Sequence, residues 1–85
     1  MKSSALNNQV TFLLVDLDTA LTFMNIAETT GNEELRQRNI QNARNAYDTV
    51  LQSMQNVTLD DAQNKTIRKK LTVLRNRLQA VGQWF

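Results

Sequence analysis

This chain contains no cysteine, no histidine and no proline, and only two glycines, Gly31 and Gly82. Without cysteine there is neither a disulfide framework nor a thiolate metal site. Without histidine the commonest general base, metal ligand and physiological pH switch are all missing. Without proline nothing interrupts a helix from within, and the abundant leucine, alanine, glutamine, arginine and lysine all favour helix. Glycine-rich phosphate loops, HExxH zinc motifs and Ser-His-Asp sets are absent too. The adjacent acid pairs Glu33-Glu34 and Asp60-Asp61 cannot converge on one proton or metal if helical, because neighbouring side chains diverge by about 100°. These absences predict a non-catalytic protein with no cofactor, no metal and no small-molecule substrate.

At 85 residues and 41% hydrophobic composition the chain supports a single folded domain over residues 1–85. No run approaches the roughly 18 uninterrupted apolar residues of a membrane span. Met1-Lys2-Ser3-Ser4 begins like a secretory signal. However, Asn7, Asn8 and Gln9 precede the apolar run, Asp16 and Asp18 interrupt it, and no small-residue cleavage site follows. The expectation is mature sequence, no membrane span and a cytoplasmic location.

The periodicity predicts three helices, at about 4–29, 33–55 and 59–82. In the first, capped from Ser3, Ser4 or Asn7, residues Leu6, Val10, Leu13, Leu14, Leu17, Ala20, Leu21, Met24 and Ala27 share an arc of roughly 140°. Gly31 is expected to close it in the left-handed conformation. Thr30 with Glu33 has capping-box spacing for the second helix, whose seam is Ile40, Ala43, Tyr47, Val50, Met54 and Val57; Arg38, Gln41, Asn42, Asn45 and Asp48 are its polar face. Thr58 with Asp61 repeats that spacing, with Val57 placed to staple against Ala62, before a third seam of Ile67, Leu71, Leu74, Leu78 and Val81. This seam continues in register to Phe85 if the helix survives Gly82. The two short loops make neighbouring helices antiparallel. The fold class is therefore an all-α, three-helix up-down-up bundle.

The first helix alone is apolar on two opposite sides. Phe12, Val15, Thr19, Phe23 and Ile26 step by three, four, four and three, forming a coherent stripe about 180° from the core face. Two explanations stand. A homodimer or helical protein partner covers the stripe, self-association being the economical case because a helix antiparallel to its own copy closes a two-fold interface. Alternatively, long side chains of the other helices fold over it. Tyr47 is expected to fill the core with its hydroxyl at the edge, Met24 and Met54 to fill gaps, and Trp84-Phe85 either to cap the bundle's end or to remain exposed as a contact.

Charge is uneven. Residues 1–30 carry −2, residues 31–57 are neutral, and residues 58–85 carry +4. No acid follows Asp61. A different class of function is therefore open, in which Lys65, Arg68, Lys69, Arg75 and Arg77 bind nucleic acid or another anionic surface. The plainer reading gives these cations to the helix dipole and to ion pairs, with Asp16 or Asp18 as partners for Arg68 and Arg75. Long, nearly parallel helices do not suit a helix-turn-helix reader.

One short pattern, Ala43-x3-Tyr47-x2-Val50, resembles the small, aromatic, small spacing in the second helix of a tetratricopeptide repeat. The resemblance covers about ten residues. Such helical hairpins, and the three-helix microtubule-interacting-and-transport domains similar to them, bind peptide segments of other proteins. The resemblance thus implies an interaction role and designates no binding residue. The first-helix signature and terminal proline of a tetratricopeptide repeat are not in this chain, and its expected helices are long for a repeat of about 34 residues.

Overall fold

In a computed structural model, which describes the backbone of residues 3–85 and the side chains of residues 8–85, the chain forms α1 (Ser3–Thr29), α2 (Glu33–Met54) and α3 (Asp61–Ala80). The expected cap at Ser3, Ser4 or Asn7, and the core position of Leu6, lie outside the residues whose side chains are described. The ion pairs give the topology directly. Asp18 meets Lys70 and Glu28 meets Arg77, so the contacts climb α1 and α3 together and these helices run parallel. α2 runs against both, joined by residues 30–32 and 55–60. The result is a rod of 47 × 21 × 17 Å, a little longer than the ~40 Å that the 27 residues of α1 span at 1.5 Å each.

One seam from each helix meets in the core. Leu17, Ala20 and Met24 of α1, Ala43 and Val50 of α2, and Ile67, Leu74 and Leu78 of α3 are fully buried, with Tyr47 and Leu71 close behind. Met54, Val57 and Val81 are half-buried against them. α1 packs much more closely on α2 than α3 packs on either, and open grooves remain along both edges of α3.

The helix ends differ from expectation in instructive ways. α2 is capped by Asn32, whose side chain accepts from the Leu35 amide at 2.8 Å, and not by Thr30, whose hydroxyl instead accepts from the Asn32 amide. Asparagine outranks threonine as a cap, and this register puts Glu33 and Glu34 in the first turn, facing Arg36 and Arg38. α3 starts at Asp61 and not at Leu59. Its capping box is Asp60 with Gln63: the Gln63 amide donates to Asp60 at 2.7 Å and the Asp60 amide to the Gln63 side chain at 3.0 Å. Thr58 with Asp61 has the same spacing, but aspartate is too short to reach back as glutamine does. The shifted start also leaves Val57 outside the staple position opposite Ala62; Val57 packs on the core instead.

The glycines exchange roles. Gly31 does not have a positive φ; Gly82 does, at 96°. The Gln83 amide donates to the Leu78 carbonyl and the Gly82 amide to that of Gln79, a Schellman closure that stops α3 before Phe85 and turns the last residues back over α2.

Candidate functional site: the outer face of α1

With α2 on one flank of α1 and α3 on the other, the arc of α1 between Val15 and Phe23 faces away from both. Phe12 is 68% exposed, Val15 52% and Ile26 38%, and Thr19 is exposed between them. Phe23 differs. It turns toward α2 and is half-buried against the core. Cover from within the monomer therefore reaches Phe23 and stops short of Phe12 and Val15. Phe12 stands at the edge of a shallow groove whose other side is Ser53, Asn56 and Val57 at the end of α2.

The stripe continues onto α2 through a residue that seam-reading overlooks. Leu35 is 38% exposed and lies eighteen residues before Ser53, about five full turns, so it shares the flank of α2 that borders the stripe. Its position off the Ile40–Val50 seam was the available signal. On the same flank, one turn along, Asn39 is buried and donates to the Leu35 carbonyl at 2.8 Å. The other exposed apolar side chains lie elsewhere: Leu51 lines the α2–α3 groove, Val73 the α1–α3 groove, and Trp84 (88% exposed) and Phe85 (41%) follow α3.

By length and mean hydropathy (1.5), Asn8–Thr29 is also apolar enough to cross a membrane, although Asp16 and Asp18 interrupt it, because an average tolerates two charges. About a third of its most apolar stretch is buried in the bundle, and a core helix of a soluble bundle meets the same criterion.

The cations of α3 divide between the flank that meets α1 and the rest of its exposed surface. Lys70 pairs with Asp18 at 2.8 Å. Arg77 grips both carboxylate oxygens of Glu28, at 2.6 and 3.0 Å, and donates to Asn25 at 2.7 Å. The donated hydrogen bond holds the Glu28 carboxyl below its ordinary pKa, against a smaller opposing effect of burial, and raises that of Arg77 for the same reason. On the opposite flank Arg68 and Arg75 line the α2–α3 groove. Neither takes Asp16 or Asp18 as expected. Arg68 donates to Asn64 one turn earlier, and Arg75 lies 5.1 Å from the centroid of Phe85. Both sit on the α2 flank of α3, on the far side from α1, which is why the aspartates are out of reach. Lys65 and Lys69 face outward. Lys65, Arg68, Lys69 and Arg75 thus share an arc of about 120° running from the α2 flank to the outer side of the helix, and Arg77 alone stands apart on the α1 flank.

The two aromatic residues after Gly82 separate. Phe85 packs edge-on to Tyr47, with the guanidinium of Arg44 4.1 Å from its centroid, while Arg44 also donates to the Trp84 carbonyl. Trp84 projects away. Among the described residues, no group of three or more acids is placed to hold a metal ion. The tetratricopeptide-like spacing of Ala43, Tyr47 and Val50 coincides with the buried seam of α2. No family model, curated protein or solved structure matches this chain.

Proposed function

We propose that this chain is a small non-catalytic interaction module that self-associates through the outer face of α1, with Phe12, Val15, Thr19, Phe23 and Ile26 at the contact. The observation that carries this reading is the exposure of the Phe12 ring beside Val15 on an unpartnered helix face. An isolated exposed apolar residue means little; a continuous stripe with two phenylalanines is the kind of surface that interactions use.

Area sets the strength. Phe12 alone offers roughly 100–170 Å², taking its exposed share of a phenylalanine surface. With its neighbours and Leu35 the patch reaches several hundred Å² per copy, near the ~500 Å² that the smallest specific interfaces bury on each side. A contact of this size sits at the low end of specific interfaces, where association is weak and reversible.

The competing use of Lys65, Arg68, Lys69, Arg75 and Arg77 against phosphates is disfavoured by the engagement of Arg77 with Glu28 and of Arg75 with the ring of Phe85. Light scattering on a sizing column, run over a concentration series, tests the proposal. The apparent mass should climb from one chain toward two, and Phe12→Asp should hold it at one. A wild-type mass that stays at one chain across the series refutes it.

A further inference from the structure

We infer that two copies pair antiparallel along α1 with the two-fold axis passing beside Thr19, so that Phe12 meets Ile26 of the partner subunit and Val15 meets Phe23 of the partner subunit. This rests on the self-association proposed above and adds its geometry. The stripe is its own mirror about Thr19: Phe12 and Ile26 lie seven residues to either side, Val15 and Phe23 four. A two-fold axis at Thr19 therefore brings every member of the stripe opposite another member. Any other antiparallel register of similar overlap sets some of them against Thr22, Asn25 or Asp16.

Exposure gives a second, independent reason. The N-terminal half of the stripe protrudes, Phe12 at 68% and Val15 at 52%, whereas the C-terminal half is recessed, with Ile26 at 38% and Phe23 half-buried. Antiparallel pairing sets each protruding side chain against a recessed one, as packed helix surfaces require. Parallel pairing sets the Phe12 rings against each other and leaves the two recessed Phe23 positions facing a gap.

Charge is compatible with this register. Asn8 to Thr29 contains acids and no base, and Asp16 and Asp18 flank the stripe. In the antiparallel register Asp16 falls level with Thr22 of the partner subunit, with the two copies of Asp16 about 9 Å apart along the axis; the two copies of Asp18 are only about 3 Å apart along it, each neutralised by Lys70 of its own subunit. The helix dipoles also oppose. The α2 flanks of the two copies then lie on the same side of the pair, which brings Leu35 to the rim of the contact and enlarges the buried area beyond α1 itself.

The chain has no cysteine, so single-cysteine variants report pairing cleanly. Thr19 is exposed, and Thr19→Cys leaves the core untouched. At an interhelical distance of about 8–10 Å, a residue on the axis brings its β-carbon to within disulfide range of its own copy. Val15 is separated from its own copy by about 12 Å along the axis in this register. Under mild oxidation, Thr19→Cys should form a covalent dimer roughly tenfold faster than Val15→Cys. A mixture of Val15→Cys and Phe23→Cys should form mainly the mixed species. If wild type dimerises by light scattering but Val15→Cys links to itself as readily as Thr19→Cys, or Thr19→Cys fails to link, this register is wrong and self-association by another geometry stands. If wild type stays a monomer and neither variant links, both fall together.

Discussion

The ring of Phe85 stands edge-on to the ring of Tyr47, with centroids 5.0 Å apart and planes inclined by 75°. Tyr47 is the middle of the α2 seam, so Phe85, five residues beyond the end of α3, partly covers the side of the core where α2 and α3 meet. Arg44 and Arg75 face Phe85, and their guanidinium groups add a cation–π attraction to its packing.

Phe85→Ala should therefore lower stability by about 1–2 kcal/mol, through lost apolar contact, the aromatic pair and the cation–π interactions. In a domain of this size that is a fall in Tm of roughly 5–15 °C. Trp84→Ala, at an 88% exposed position, should leave Tm within about 2 °C. Thermal melts followed by far-ultraviolet circular dichroism distinguish the two.

Gly82 adopts φ 96°, and a β-carbon there would meet nothing within 4 Å. The cost of Gly82→Ala is thus conformational only, about 1–2 kcal/mol for holding alanine in the left-handed region. Gly31 has equal space and no positive φ, so Gly31→Ala should be neutral or stabilise by up to about 1 kcal/mol by restricting the unfolded chain. Urea titrations of the two variants give the contrast, and equal destabilisation would contradict this account of how α3 ends.

Glu28 has a folded pKa below its ordinary value because Arg77 donates hydrogen bonds to its carboxylate. Its contribution to stability is therefore complete above the ordinary glutamate range. It declines as pH falls through that range and is gone once the carboxyl protonates in the folded state. The pair is partly exposed, which limits the contribution to about 0.5 kcal/mol. The difference in unfolding free energy between wild type and Glu28→Gln should be of this size at neutral pH and vanish in acid. A difference that grows in acid would reverse the sign and contradict the assignment.

The seams were legible in the sequence because burial in a long-helix bundle follows the three-four step: every described residue of the wide arc of α1 and of the α2 and α3 seams is buried or half-buried. The second stripe of α1 was legible for the same reason. Three features were not. The caps moved to Asn32 and Asp60, since asparagine outranks threonine at the first and, at the second, glutamine reaches back where aspartate does not. The partners of the α3 cations depend on which flank each occupies, and that is fixed only when α1 and α2 are in place. The contact of Arg44 with Phe85 joins residues far apart in the chain through a reversal at Gly82, which no local periodicity encodes.

A phosphate-binding role and an apolar interface respond oppositely to salt. Labelled duplex DNA titrated with the protein should show no anisotropy rise that falls steeply between ~50 and ~200 mM salt, because two of the α3 cations are paired with acids of α1 and Arg75 is held against Phe85. A steep inverse salt dependence, lost in Lys65→Gln/Lys69→Gln, would favour the phosphate-binding reading instead.

Sedimentation equilibrium of wild type and Phe12→Asp, at ~0.1 M and ~1 M salt, tests the central claim most directly. The account predicts a monomer–dimer equilibrium for wild type whose constant is unchanged or slightly tighter at high salt, and a monomer for Phe12→Asp with an unaltered melting profile. A wild-type monomer at protein concentrations up to about 1 mM, or a dimer that Phe12→Asp leaves intact, would contradict it.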